Sequence, residues 1–194
     1  MTFPQRDRLR HTYAEYLTWP EGAPFELIDG TAYVKEPPAP LLLHQEFVGE
    51  LYHQVRLALE GKSCRAYVAP VDVRLPQGSE DDDLVDTVVQ PDVLILCDLS
   101  KGDRRGIRGA PDWLAEVLSP SNARYDRQLK LRAYERAGVP EVWLVHPTHR
   151  LLSIHRLRSG RYGDPMVLEL EGRATINVTP GLTIDLDRLT ATLL

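Results

Sequence analysis

A chain of 194 residues, 43% hydrophobic and 26% charged, has the make-up of an ordinary globular domain and excludes disordered, fibrous and membrane-spanning classes. Its formal net charge of -5 argues against a protein that coats nucleic acid by neutralising phosphates, yet leaves room for an enzyme whose clustered carboxylates are balanced by bound metal. Cys64 and Cys97 make no framework of the kind small secreted domains use, and "MTFPQRDRLR" lacks the apolar middle of a signal peptide, so a single domain over 1–194 in a reducing cytoplasm is expected.

Along the chain, Thr12 with Glu15 three residues on has capping-box spacing and predicts a short helix to about Leu17, ended by Trp19-Pro20. "FELIDGTAYVKE" alternates around Asp29-Gly30, a strong hairpin signal because a tight turn needs positive φ at its centre. After the proline-rich "PPAP", the spacing of Phe47, Val48, Leu51, Val55, Ala58 and Leu59 predicts a long helix from His44 to Gly61. "CRAYVAPVDVRL", "DTVVQPDVLILC" and "DWLAEVL" read as central strands, and the acid run from Glu80 to Asp83 between the first two as a solvated loop. Ser121 or Asn122 can cap a helix reaching Ala137, with Gly138 and Pro140 as stop signals. "EVWLVHP" is a further buried strand, and the chain from Arg150 onward alternates in short strands that extend or cover the same sheet. His146, His149 and His155 flank a strand pair as surface or rim residues, and arginines gather at 104–108, 124–136 and 150–161.

Three acids fall inside apolar strand patterns: Glu26 in "FELI", Asp92 in "QPDVLIL" and Glu116 in "LAEVL". A buried carboxylate carries a penalty of several kcal/mol unless it is paired, hydrogen-bonded or bound to a cation. Pro91 lacks a ladder donor, which places Asp92 at a strand's mouth. Period two puts Glu116 and Leu118 on one face of their strand and Ala115 and Val117 on the other. On the following helix Leu129, Ala133 and Ala137 mark the inward stripe, and Asp126 and Lys130 fall within roughly 100° of it. An Asp126–Lys130 pair accounts for a pairing but not for a lysine turned toward the sheet. Tyr134 lies between that stripe and solvent and reads as packing. Two carboxylates from neighbouring strands plus a lysine suit Mg²⁺ or Mn²⁺ and phosphoryl transfer.

"FELIDG", His44 opening the long helix, "PDVLIL", "LAEVLSPSN", the spacing of Asp126, Lys130 and Tyr134, and "AGVPEVWLVHP", in that order over about residues 10–160, resemble the Uma-type restriction-endonuclease-like family of bacterial PD-(D/E)xK nucleases. The resemblance implies an α/β restriction-endonuclease-like core, a central mixed sheet flanked by helices, here with an added N-terminal hairpin and C-terminal strands. It implies Asp92, Glu116 and the main-chain carbonyl of Val117 as metal ligands, Glu26 as an additional acid, and Mg²⁺ or Mn²⁺ as cofactor. The lysine that the superfamily carries two residues after the glutamate is Leu118 here, and Lys130 on the next helix is placed to replace it. The implied partner is a nucleic-acid substrate, DNA first, with a symmetric homodimer for cutting both strands and no membrane. A catalytically silent module of the same shape, binding nucleic acid or a protein, is the second expectation, since a fold outlives its chemistry.

Overall fold

The computed structural model describes residues 9–20, 25–34, 42–118, 126–178 and 180–191. Helix α1 (Tyr13–Tyr16) starts where the Thr12 N–H donates to Glu15 Oε2 at 3.2 Å. The hairpin of β1 (Phe25–Ile28) and β2 (Thr31–Val34) closes through Asp29 and Gly30, whose φ values of 51° and 76° give the left-handed turn that the alternation predicts. Helix α2 (Leu42–Ala58) buries Phe47, Val48, Leu51 and Val55 along one stripe. The "PPAP" connector and the Ser121 and Asn122 caps lie outside the described residues.

Proline divides two of the predicted β runs, and that division decides the architecture. One run gives β3 (Arg65–Val68) and β4 (Val73–Arg74) on either side of Pro70; the other gives β5 (Val88–Val89) and β6 (Val93–Leu96) on either side of Pro91. Because proline offers no N–H to a ladder, each run leaves one sheet at that point and joins the other. With β7 (Gly102–Asp103) and β8 (Gly106–Arg108), a six-stranded sheet forms in the order β2-β1-β5-β4-β8-β7.

The larger sheet takes β9 (Trp113–Val117), β10 (Glu141–His146), β11 (Leu151–Arg158), β12 (Arg161–Tyr162) and β13 (Met166–Glu169). Its order is β12-β11-β10-β9-β6-β3, with β13 also on β11. β6, β9 and β10 are interior, as expected of central strands; β3 instead forms an edge and exposes Arg65 and Tyr67. Among the described strands of this sheet only β9 and β10 run parallel, and helix α3 (Leu131–Ala137) lies in the crossover that a parallel step requires. The pair β14 (Arg173–Ile176) and β15 (Leu182–Asp185), with helix α4 (Leu186–Thr190), covers one face of the sheet.

The side-chain period of the strands sorts the core into two layers. Ala115, Val117, Trp143 and Val145 pack with α2, β14 and β15. Leu114, Leu118, Val142 and Leu144 pack with α3 and with Ile28 and Val89 of the smaller sheet.

Three expectations need correction. Cys64 and Cys97 are joined by a disulfide, because the β3–β6 register that pairs Arg65 with Leu96 sets the next residues opposite one another. The acid run is not merely solvated: Asp82 binds the buried Arg74, while Glu80 accepts the Gln77 and Gly78 N–H groups at 2.7 and 2.8 Å. His155 is buried against Tyr162 rather than at the rim, with ring centroids 5.9 Å apart, because β11 is covered on that side.

Candidate active site

Three strands from the two sheets and one helical turn bring the charged residues together. Glu26 alternates with Leu27 on β1, so it points with Ile28 into the layer between the two sheets. Glu116, flanked by Leu114 and Leu118 on its own face, enters that layer from β9. Asp92 sits at the mouth of β6, immediately after Pro91. It lies beside Glu116 because β6 and β9 pair Val93 with Ala115. Lys130 ends a π-helical turn (Asp126–Lys130) that precedes α3. The wider turn is a departure from the expected straight helix, and such turns recur at functional sites because they re-aim a side chain. Here Lys130 is wholly inside, at 1% exposure.

The Lys130 ammonium lies 2.6 Å from Glu116 Oε1 and donates to Glu26 Oε1 at 3.0 Å. Glu26 Oε1 also accepts the Gln90 N–H at 2.7 Å, and the Gln90 side chain donates to Asp72 at 2.9 Å. Asp92 Oδ2 accepts the Val117 N–H at 2.8 Å and lies 3.3 Å from His44 Nε2 at the start of α2. The Tyr134 hydroxyl donates to Glu116 Oε1 at 2.5 Å. Glu26, Glu116 and Asp92 are buried, at 1%, 2% and 5% exposure.

Among the described residues two buried carboxylates, Glu26 and Glu116, contact the Lys130 ammonium, and the third, Asp92, lies beside His44. Burial pushes the Glu116 carboxyl up to about 7; Lys130 works against this, while Asp92 and Glu26 add to it. Tyr134 is held well above the ordinary tyrosine range by burial and by the Glu116 charge.

Of the residues singled out in the sequence, Glu26, Glu116 and Lys130 share direct contacts, and Asp92 reaches the same place through Val117. The Val117 peptide meets the cluster through its N–H, which holds Asp92. Leu118 packs into the core and cannot supply a charge. Sequence reasoning missed Tyr134 and Gln90. Tyr134 was legible in principle, since it follows Lys130 at i,i+4 and shares its helix face. Gln90 was not, because its contact with Glu26 is through the main chain of a sheet-switching segment.

Every ligand atom that the acids of the cluster offer is a buried oxygen, which is the chemistry a hard divalent cation requires. Among the described residues no group of three or more His, Cys, Asp or Glu side chains could hold a metal ion. Mg²⁺ is usually held by one or two carboxylates with water and substrate phosphate completing the octahedron, so Asp92 and Glu116 fit it.

A solved structure described as a "putative nuclease belonging to DUF820", from Anabaena variabilis ATCC 29413, is similar to this chain. The TM-score is 0.75 at 20% identity, over 94% of this chain and 99% of that one. That likeness establishes the fold, a restriction-endonuclease-like mixed α/β architecture. No curated protein matches in sequence. Residues 13–189 match the model of the Uma2 family, described as "Putative restriction endonuclease", over nearly the whole chain. With the expected acids and lysine gathered between two sheets and that match across both, the chain belongs to the Uma2 family.

Proposed function

We propose that this chain is a divalent-metal-dependent endonuclease that hydrolyses phosphodiester bonds of nucleic acid, DNA in the first instance. One observation carries the reading: among the described residues three buried carboxylates from different segments converge on one place, Glu26 and Glu116 on Lys130 and Asp92 beside Glu116. Mg²⁺ or Mn²⁺, held by Asp92, Glu116 and the main-chain carbonyl of Val117, supplies Lewis-acid polarisation and an activated water when bound.

The chain's own groups do the rest. His44 and the Val117 N–H fix Asp92, so its carboxylate is presented without rotamer search. Lys130 brings positive charge to the place where a phosphodiester gains negative charge in the transition state. Glu26 keeps that ammonium anchored if Glu116 is engaged elsewhere. A symmetric pair of copies, each a single domain, fits cleavage of both strands.

A second reading has its own observation. Lys130 is sealed between two acids like a structural ion pair, as a catalytically silent module binding nucleic acid or a protein would tolerate. Calorimetric titration with Mn²⁺, beside Asp92→Ala and Glu116→Ala variants verified as folded, separates the two. Binding by the unmodified protein alone supports the enzyme, and cleavage of duplex and single-stranded DNA and RNA with Lys130→Ala as control then follows. Equal, negligible binding by all three proteins up to millimolar metal sinks it.

A further inference from the structure

We infer that Tyr134 is a positioning residue that makes Glu116 a one-oxygen ligand and thereby favours Mg²⁺ over Ca²⁺; the inference rests on the metal-dependent reading above. Tyr134 is fully buried, and its hydroxyl donates to Glu116 Oε1 at 2.5 Å. Lys130 Nζ lies 2.6 Å from the same oxygen. A carboxylate oxygen has about two lone-pair sites, so these two donors use up Oε1. Neither acts on Oε2, which becomes the oxygen that Glu116 can turn to a cation.

Both donors come from one continuous helical piece of chain. Lys130 closes the π-helical turn and Tyr134 lies one turn on in α3, which is anchored in the core through Ala133 and Tyr134 itself. They hold Oε1 as a pair, and the carboxylate cannot rotate to offer both oxygens without breaking two bonds. Packing alone does not ask for this residue, since phenylalanine fills the same volume and brings no buried hydroxyl to satisfy.

The consequence is selectivity. Mg²⁺ demands near-ideal octahedral geometry with short bonds, and one-oxygen carboxylates suit it. Ca²⁺ takes six to eight oxygens at longer distances and commonly recruits both oxygens of a carboxylate. A Glu116 locked at Oε1 serves the first ion and starves the second.

Tyr134→Phe removes one lock and little else. Titrating Mg²⁺ and Ca²⁺ separately into the unmodified protein and the variant by calorimetry, the inference expects Mg²⁺ affinity to fall about 10-fold, the lower end for loss of an outer hydrogen bond to a ligand. Ca²⁺ affinity is expected to hold or rise, so the preference shifts by about 10-fold or more. A purely structural tyrosine would weaken both ions alike or neither, and a preference left unmoved overturns the inference while the metal site stands. If the unmodified protein binds neither ion, the metal reading fails and this inference with it. Infrared difference spectra of the unmodified protein with Mg²⁺ give an answer even if the variant does not fold. A carboxylate stretch splitting of the one-oxygen type is expected, and the narrow splitting of a two-oxygen ligand overturns the assignment.

Discussion

Two buried cations in this molecule have opposite surroundings. Arg74, at 0% exposure, binds Asp82 and Asp103, whose side chains remain 26% and 50% exposed. Arg105 and Arg108 join them, with Asp83 on Arg105, so three arginines meet three aspartates at the edge of the smaller sheet. Lys130, equally buried, faces Glu26 and Glu116 at 1% and 3% side-chain exposure, with Asp92 alongside. The first cluster is balanced and its acids reach water, so its role is complete once Arg74 has pinned the loops carrying Asp82 and Asp103. The second is dry: among the described residues its acids are all buried, and a buried carboxylate is costly unless it is paired, hydrogen-bonded or bound to a cation.

That contrast can be broken experimentally. Lys130→Met should destabilise the protein by about 3–5 kcal/mol in urea denaturation, because it strands buried carboxylates, and saturating Mn²⁺ should restore part of the loss. No restoration would mean that the acids do not bind the ion.

The pH dependence follows from Glu116. Its carboxyl, raised from 4.5 to about 7 by burial, keeps in the folded state a proton that the unfolded chain releases. That contribution is fully present below pH 4.5 and is lost as pH rises to 7, a decline of about 3 kcal/mol in the absence of metal. Denaturation at a series of pH values should show this slope, and Glu116→Gln should flatten it; a Gln variant with the same slope assigns it to another group.

Arg74→Met should cost about 1–2 kcal/mol, less than the lysine change, because water takes over Asp82 and Asp103. Mn²⁺ should not rescue it, and a rescue would erase the distinction between the clusters. Arg136→Ala, which removes an exposed pair with Asp29 at 2.6 Å, marks the floor: about 0–1 kcal/mol, shrinking further in high salt, read from thermal melts.

Much of the site was legible because buried acids stand out against apolar strand patterns. Glu26, Asp92 and Glu116 each interrupt such a run, and the helical stripe after Glu116 already turned Lys130 toward the sheet. The hairpin at Asp29-Gly30 and the stop at Gly138, with φ 83°, are equally local, since each depends on a backbone conformation that glycine adopts freely. Tyr134 looked like packing because periodicity gives direction along one helix axis and assumes 100° per residue. The π-helical turn before α3 shifts that frame. The Arg74–Asp82 pairing was hidden in an acidic loop, because a charge's partner eight residues away is a matter of where the loop returns.

What the sequence determined by itself was the first hairpin, the long helix, the apolar strand runs and the presence of acids that needed a partner, all consequences of short-range periodicity and desolvation. Only the tertiary structure decided that Pro70 and Pro91 send two strand runs from one sheet into another. That switch sets Glu26 across from Glu116 with Lys130 between them. The reason is physical: proline cancels a ladder bond wherever it stands, but which sheet the chain joins next depends on the faces that other segments have left to bury.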